Sequence, residues 1–72
     1  MKFTKRFAGS YYATTKTGEG ITIQSMSQYT WETDQDSEGN KWVLTFDNDW
    51  DNDRQLRAKT KAALVEYATK YL

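Results

Sequence analysis

The chain has 72 residues and a formal net charge of zero, with ten Lys and Arg balanced by ten Asp and Glu. It contains no His, Cys or Pro, which excludes an imidazole base, a thiolate nucleophile, disulfides and the nitrogen and sulfur ligands of zinc. We therefore predict a single non-catalytic domain without cofactor or metal, stabilised by packing of its three Trp, five Tyr and three Phe.

The zero net charge hides a strong segregation along the chain. Residues 1–17 carry +4, residues 18–53 carry −8 and residues 54–72 carry +4. This pattern predicts separate basic and acidic surfaces, whose positions depend on the fold. No apolar run is long enough for a membrane span, and no apolar stretch follows the charged N-terminal residues, so we expect a cytoplasmic protein with no membrane partner.

The first predicted strand covers residues 3–13. Its odd positions are the more apolar and are expected to face the core, while its even positions are basic or hydroxylic. Gly9 predicts a bulge or a break in this strand. Residues 16–20 contain two glycines and predict the turn of a hairpin.

Strand patterns continue through the middle of the chain. Alternation predicts a second strand over residues 21–28, resumes at residues 29–33, and leaves open whether these form one bent strand or two short ones. After a polar loop, residues 41–47 predict a further strand. Pairing of residues 29–33 with this strand would place Trp31 beside Trp42 as an aromatic cross-strand pair.

A C-terminal helix is the clearest element. The absence of Gly and Pro from residues 54–72 predicts a helix beginning at Arg54 and capped by an Asp of the preceding acidic run. An alternative start uses Thr60 as N-cap, with the helix from Lys61 and residues 54–58 as an extra edge strand. Glu66–Lys70 and Asp53–Arg57 have the spacing of helical ion pairs.

Helical periodicity assigns the faces of this helix. The residues expected to dock on the sheet are Leu56, Thr60, Ala63, Leu64, Tyr67 and Tyr71. The opposite side carries Ala58, Ala62, Val65 and Thr69. That second set either reflects helix propensity alone or allows a second helix to pack in a weak homodimer. The whole pattern predicts one α+β domain over residues 1–72, with a small antiparallel sheet of three to four strands packed against one C-terminal helix.

The acidic run at residues 46–53 is the most unusual feature. Its alternating Asp residues begin like a calcium-binding EF-hand loop, but the required Gly and bidentate Glu are missing. We therefore do not predict a calcium site. The run is either a solvated loop whose last acids cap the helix, or a functional surface whose carboxylates imitate a nucleic-acid backbone. As the functional assignment we predict a surface that binds a protein partner. The residues assigned to it are Asp47, Asp49, Trp50, Asp51 and Asp53. Trp50 is either an exposed anchor for the partner or an apolar cover folded over the sheet edge.

Basic residues at the two ends of the chain give an alternative function, nucleic-acid binding. The residues assigned to it are Lys2, Arg6, Tyr12, Lys16, Arg54, Arg57 and Lys61. Lys and Arg neutralise phosphates, and an exposed Tyr stacks on bases. The element order resembles that of the small N-terminal DNA-binding domains of some phage tyrosine recombinases, but their Gly-rich basic strand pattern is absent. A neutral net charge argues against a dedicated nucleic-acid binder.

The sequence thus favours a small non-catalytic interaction module. In general style it resembles the accessory or host-modulating proteins of phages, although no motif specifies one of them. We expect a protein partner, with nucleic acid as the alternative, and a monomer or weak homodimer.

Overall fold

The computed structural model describes residues 1–51 and 53–72 and shows an α+β domain. Five antiparallel strands follow one another in space in chain order, and a helix follows the last strand. The strands are β1 (Thr4–Phe7), β2 (Ser10–Thr14), β3 (Gly20–Ser25), β4 (Trp42–Phe46) and β5 (Leu56–Ala58). The helices are α1 (Met26–Tyr29) and α2 (Lys61–Tyr71). The predicted class is confirmed, with one strand more than expected.

The main core lies between α2 and one face of the sheet. Strand alternation sends every second side chain of β2, β3 and β4 to this face. The buried members of the cluster are Ala13, Ile21, Ile23, Leu44, Phe46, Leu64 and Ala68. Within the described part of the chain no helix is long and apolar enough to cross a bilayer.

A second, smaller buried region lies on the other face. Alternation places Val43 opposite Leu44, yet the side chain of Val43 is fully buried. The short helix α1 contacts both β3 and β4 and brings a buried Met26 to this part of the sheet. The backbone N–H of Met26 donates to the carbonyl of Lys41 at 2.7 Å, which joins the two ends of the connection from residue 26 to residue 41.

The predicted strand at residues 29–33 is wrong. Ser25 ends β3 and caps α1, because its hydroxyl accepts a hydrogen bond from the N–H of Gln28 at 3.3 Å. Strand β4 pairs instead with β3, with Ser25 opposite Trp42. The predicted Trp31–Trp42 pair is therefore absent. Trp31 is 90% exposed, and the ring centroid of Trp42 lies 6.5 Å from that of Tyr11.

The first predicted strand is broken at Gly9, which agrees with one of the two predictions for this residue, a bulge or a break. Gly9 has a φ of 81° and separates β1 from β2. The predicted inward face holds in β2, where Ala13 is buried, but Phe7 in β1 is 54% exposed. The register of the β1–β2 pair shifts between Lys5 and Phe7, which interrupts the alternation there.

Helix α2 begins at the later of the two predicted starts. Thr60 caps it, because its hydroxyl accepts from the N–H of Ala63 at 3.2 Å. The start at Arg54 is wrong, since residues 56–58 form β5 on the edge of the sheet. The helical ion pair between Asp53 and Arg57 is excluded for the same reason.

The predicted docking face of the helix is rotated from the observed one. Leu64 and Ala68 are buried against the sheet, whereas Ala63, Tyr67 and Tyr71 are exposed. Two of the four small residues considered for packing of a second helix also do not lie on an open face of α2. Ala58 belongs to β5, and the half-buried Val65 packs against the core.

Replacing the capping residue tests the start of α2. We expect Thr60→Ala to lower the free energy of unfolding by about 0.5–2 kcal/mol, because the N–H of Ala63 loses its acceptor. Urea denaturation measures this change.

The matched control is Thr69→Ala, at an exposed position inside the same helix. Here the free energy of unfolding should stay constant or rise by less than about 0.7 kcal/mol, because Ala has the higher helix propensity. Equal losses in the two variants would contradict a cap at Thr60.

Candidate functional site

The acidic run forms the connection between β4 and β5, which we term the acidic loop (residues 47–55). It lies at the same end of the sheet as the β2–β3 turn (residues 15–19). The C-terminal end of α2 reaches this end too, where the N–H of Lys16 donates to the carbonyl of Leu72 at 2.9 Å. The connection formed by residues 26–41 leaves from the other end of β4.

Hydrogen bonds within the chain fix the course of the acidic loop. The N–H of Asp47 donates to the carbonyl of Gly20 at 2.9 Å, and that of Asp49 donates to the carbonyl of Phe46 at 3.0 Å. The carboxylate of Asp49 then accepts the N–H of Arg54 at 2.7 Å. Asp49 therefore holds the two sides of the loop together, as Asp commonly does in turns.

Trp50 projects from this loop into solvent. Its side chain is 91% exposed, although Trp is highly buried on average. The alternative in which Trp50 covers the sheet edge is therefore wrong. Asp51 and Asp53 are also exposed. Four of the five predicted partner-binding residues are thus exposed, namely Asp47, Trp50, Asp51 and Asp53, and the fifth, Asp49, is half-buried and bonded within the loop.

Arg54 attaches the acidic loop to the β2–β3 turn. Its guanidinium donates two hydrogen bonds to the carboxylate of Glu19, one of them at 3.3 Å from Nη1 to Oε1. The same group lies over the ring of Phe46, 4.2 Å from the ring centroid. The hydrogen bond with Glu19 raises the pKa of Arg54 above its ordinary value. Arg54 is thus engaged by an acid and by an aromatic ring.

Arg57 has a comparable role at the other end of the sheet. Its Nη1 donates to Asp36 at 3.1 Å, and its guanidinium lies 5.8 Å from the ring centroid of Tyr29. Asp36 also accepts the N–H of Glu38 at 2.9 Å and that of Asn40 at 2.8 Å. These contacts, with the N–H of Asn40 the strongest, lower the pKa of Asp36 from 3.8 to about 2.

The other predicted nucleic-acid-binding residues lie on different faces of the sheet. The guanidinium of Arg6 is 4.5 Å from the ring centroid of Tyr12, and the ammonium of Lys61 is 3.7 Å from that of Tyr11. Tyr11 and Tyr12 are adjacent in β2 and point to opposite faces. Lys2 and Lys16 are exposed, the first before β1 and the second in the β2–β3 turn. The seven residues therefore do not share one surface.

A groove of about 390 Å³ lies beside the acidic loop. It was not predicted from the sequence. Its lining residues are Thr15, Thr17, Glu19, Phe46, Arg54, Leu56, Tyr67, Tyr71 and Leu72. The ring centroids of Tyr67 and Tyr71 are 4.9 Å apart. The two residues are 40% and 62% exposed, respectively. Their i,i+4 spacing was visible in the sequence, but helical periodicity assigned both rings to the face that docks on the sheet.

The arrangement at the acidic loop is suited to recognition by shape and charge. Across residues 1–51 and 53–72, no three acidic side chains come together in a way that could hold a metal ion. Comparisons of the chain with protein-family models, with characterised proteins and with solved structures found no match. The function must therefore be inferred from the geometry of the site itself.

The low pKa of Asp36 predicts a pH dependence of stability. Because the pKa in the folded state lies below the ordinary value of 3.8, ionised Asp36 stabilises the fold above that pH. This contribution is lost as the pH falls towards 2. We expect Asp36→Asn to lower the melting temperature at neutral pH, with a difference from the original chain that shrinks as the pH falls through this window.

Thermal denaturation followed by circular dichroism from neutral pH to pH 2 measures this effect. Asp34→Asn removes one negative charge from the same connection and is the control. A difference for Asp36→Asn that is constant with pH, or that matches the control, would show that the Asp36 carboxylate does not stabilise the fold.

Proposed function

We propose that the chain is a non-catalytic interaction module of the cytoplasm, monomeric or weakly dimeric, that binds a protein partner through the acidic loop. The observation that carries this proposal is the 91% exposure of the Trp50 side chain in a loop fixed by Asp49 and Arg54. Exposed Asp51 and Asp53 follow this residue in the sequence. An apolar anchor among acids fits an accessory protein that docks on a larger molecule.

The energetics of association support Trp50 as the anchor. Trp is enriched among the residues that dominate binding energy, because it combines a large apolar area with few rotatable bonds. The hydrogen bonds between Asp49 and Arg54 and between Arg54 and Glu19 already hold these parts of the loop in place in the free protein. Less conformational entropy is then lost on binding than for a disordered segment.

Charge defines the chemistry of the partner. Exposed carboxylates around an apolar anchor complement a basic surface that surrounds an apolar pocket, and such complementarity accelerates association. Nucleic acid, the alternative partner, has the opposite charge requirement. Arg54 and Arg57 are engaged by Glu19 and Asp36, so two of the cations needed for phosphates are already paired. We therefore favour a protein partner.

Removal of the Trp50 side chain tests this proposal. We expect Trp50→Ala to abolish capture of a partner protein by the immobilised chain from a lysate of the source organism, because the interface loses its anchor. The melting temperature should change little, since the side chain is almost fully exposed. The control is Trp31→Ala, which removes an equally exposed Trp from the connection at the other end of β4 and should leave capture unchanged.

Nuclease treatment of the lysate separates the two kinds of partner. Capture that survives nuclease and requires Trp50 supports the proposal. Capture that is lost with nuclease, together with a low-salt mobility shift that weakens steeply as salt is added, would support nucleic-acid binding instead. A large loss of stability in Trp50→Ala would contradict an exposed Trp50.

A further inference from the structure

We infer that the groove beside the acidic loop holds one apolar side chain of an extended basic segment of the partner, whose Lys or Arg residues pair with the acidic loop. This inference rests on the proposed function and names the chemistry of its partner. It comes from three properties of the groove: its apolar walls, the hydrogen bonds that its polar side chains such as Glu19 and Arg54 already make, and the negative charge of the segments around it.

Apolar surface dominates the walls of the groove. Phe46, Leu56 and Leu72 pack against the main core and supply its apolar base. Tyr67 and Tyr71 form an exposed aromatic side from α2. A volume of about 390 Å³ is near the lower end of the range of small ligand sites, and it is large enough for an aliphatic or aromatic side chain.

Four polar side chains of the groove, those of Thr15, Thr17, Glu19 and Arg54, already take part in hydrogen bonds with one another or with nearby backbone. The carboxylate of Glu19 accepts both hydrogen bonds from Arg54. The hydroxyl of Thr15 is 3.0 Å from that of Thr17 and accepts the N–H of Glu19 at 3.1 Å. A phosphate or carboxylate in the groove would lie beside the carboxylate of Glu19 and be repelled by it, so an anionic ligand is disfavoured. An apolar side chain enters without breaking these bonds.

The charge at this end of the sheet indicates which residues of the partner should surround the inserted apolar side chain. The acidic loop and the β2–β3 turn together carry the carboxylates Glu19, Asp47, Asp49, Asp51 and Asp53. Against these five they carry the cations Lys16 and Arg54. The resulting negative potential favours a basic segment. Lys70 opposes it from α2, where its ammonium lies 5.3 Å from the ring centroid of Tyr71.

The groove and Trp50 belong to one continuous surface. Arg54 lines the groove, and its N–H is bonded to Asp49, the residue before Trp50. A partner can therefore insert an apolar side chain into the groove while Trp50 contacts its surface nearby. Two linked contacts of this kind raise affinity and restrict the partners that fit both.

Synthetic peptides test the groove separately from the whole partner. Three fluorescein-labelled peptides of equal length serve as probes: one Lys-rich with a single Phe, one with Ser in place of that Phe, and one with Glu in place of every Lys. We expect fluorescence anisotropy to show binding of the first peptide and at least about tenfold weaker binding of the other two. Binding of the first should weaken with added salt.

Variants of the groove assign the site. Tyr71→Ser should weaken binding of the Lys-rich Phe peptide at least about tenfold, because the aromatic side of the groove is lost. Lys70→Glu should strengthen this binding several-fold at low salt, since a like charge becomes an opposite one. Phe7→Ser is the matched control, because it removes another exposed aromatic side chain from the distant β1 and should leave binding unchanged.

Each outcome decides between the inference and the proposed function. Failure of all three peptides to bind, preference for the Glu peptide, or equal binding to the original chain and Tyr71→Ser would overturn the inference. If Trp50→Ala still abolishes partner capture in that case, the proposed function stands without the groove. Melting temperatures near that of the original chain, expected for these exposed positions, show that each variant is folded.

Discussion

The antiparallel pairing of β3 with β4 is the constraint on which the remaining structure depends. With Ser25 opposite Trp42, the intervening residues must leave the sheet and return, and their helix α1 contacts β3 and β4 on the way. The central strands are consequently buried on both sides: Leu44 lies under α2, and Val43 lies on the face that α1 covers. In a chain too short for a large core and without disulfides, this two-sided burial supplies much of the stabilisation.

The aromatic residues and the basic residues are physically connected in this fold. Several basic side chains lie over aromatic rings, in the pairs Arg6–Tyr12, Arg54–Phe46, Arg57–Tyr29, Lys61–Tyr11 and Lys70–Tyr71. Their aliphatic stems cover apolar surface while their charges stay hydrated. Basic residues thus serve the packing of a small domain, which explains why they do not gather into one basic face. The acidic residues do not cover aromatic rings in this way, and most of those in the acidic loop form an exposed negative surface.

The sequence predicted those parts of the fold that depend on local patterns. Alternation predicted strands over the residues that form β3 and β4, although it did not indicate that Val43 is buried on their second face, and Thr60 was recognised as the cap of one of two possible helix starts. The prediction of a strand failed at residues 29–33. There the alternation of apolar residues was overridden by the helix cap that Ser25 forms and by the pairing of β3 with β4. The acidic run was evident in the sequence, but its place between two strands followed only from the later of the two helix starts. The groove was not predicted, because it requires α2 to end beside the β2–β3 turn, a contact between distant residues.

The bond between the Asp49 carboxylate and the N–H of Arg54 has a further consequence for engineering. This hydrogen bond holds Asp49 and Arg54 together, so the sheet does not depend on the identity of the residues between them. Because the entropy of loop closure rises slowly with length, this interval is a natural place to graft foreign recognition sequences. The domain could then serve as a small, cysteine-free display scaffold, suited to reducing conditions in which disulfide-dependent binders do not fold.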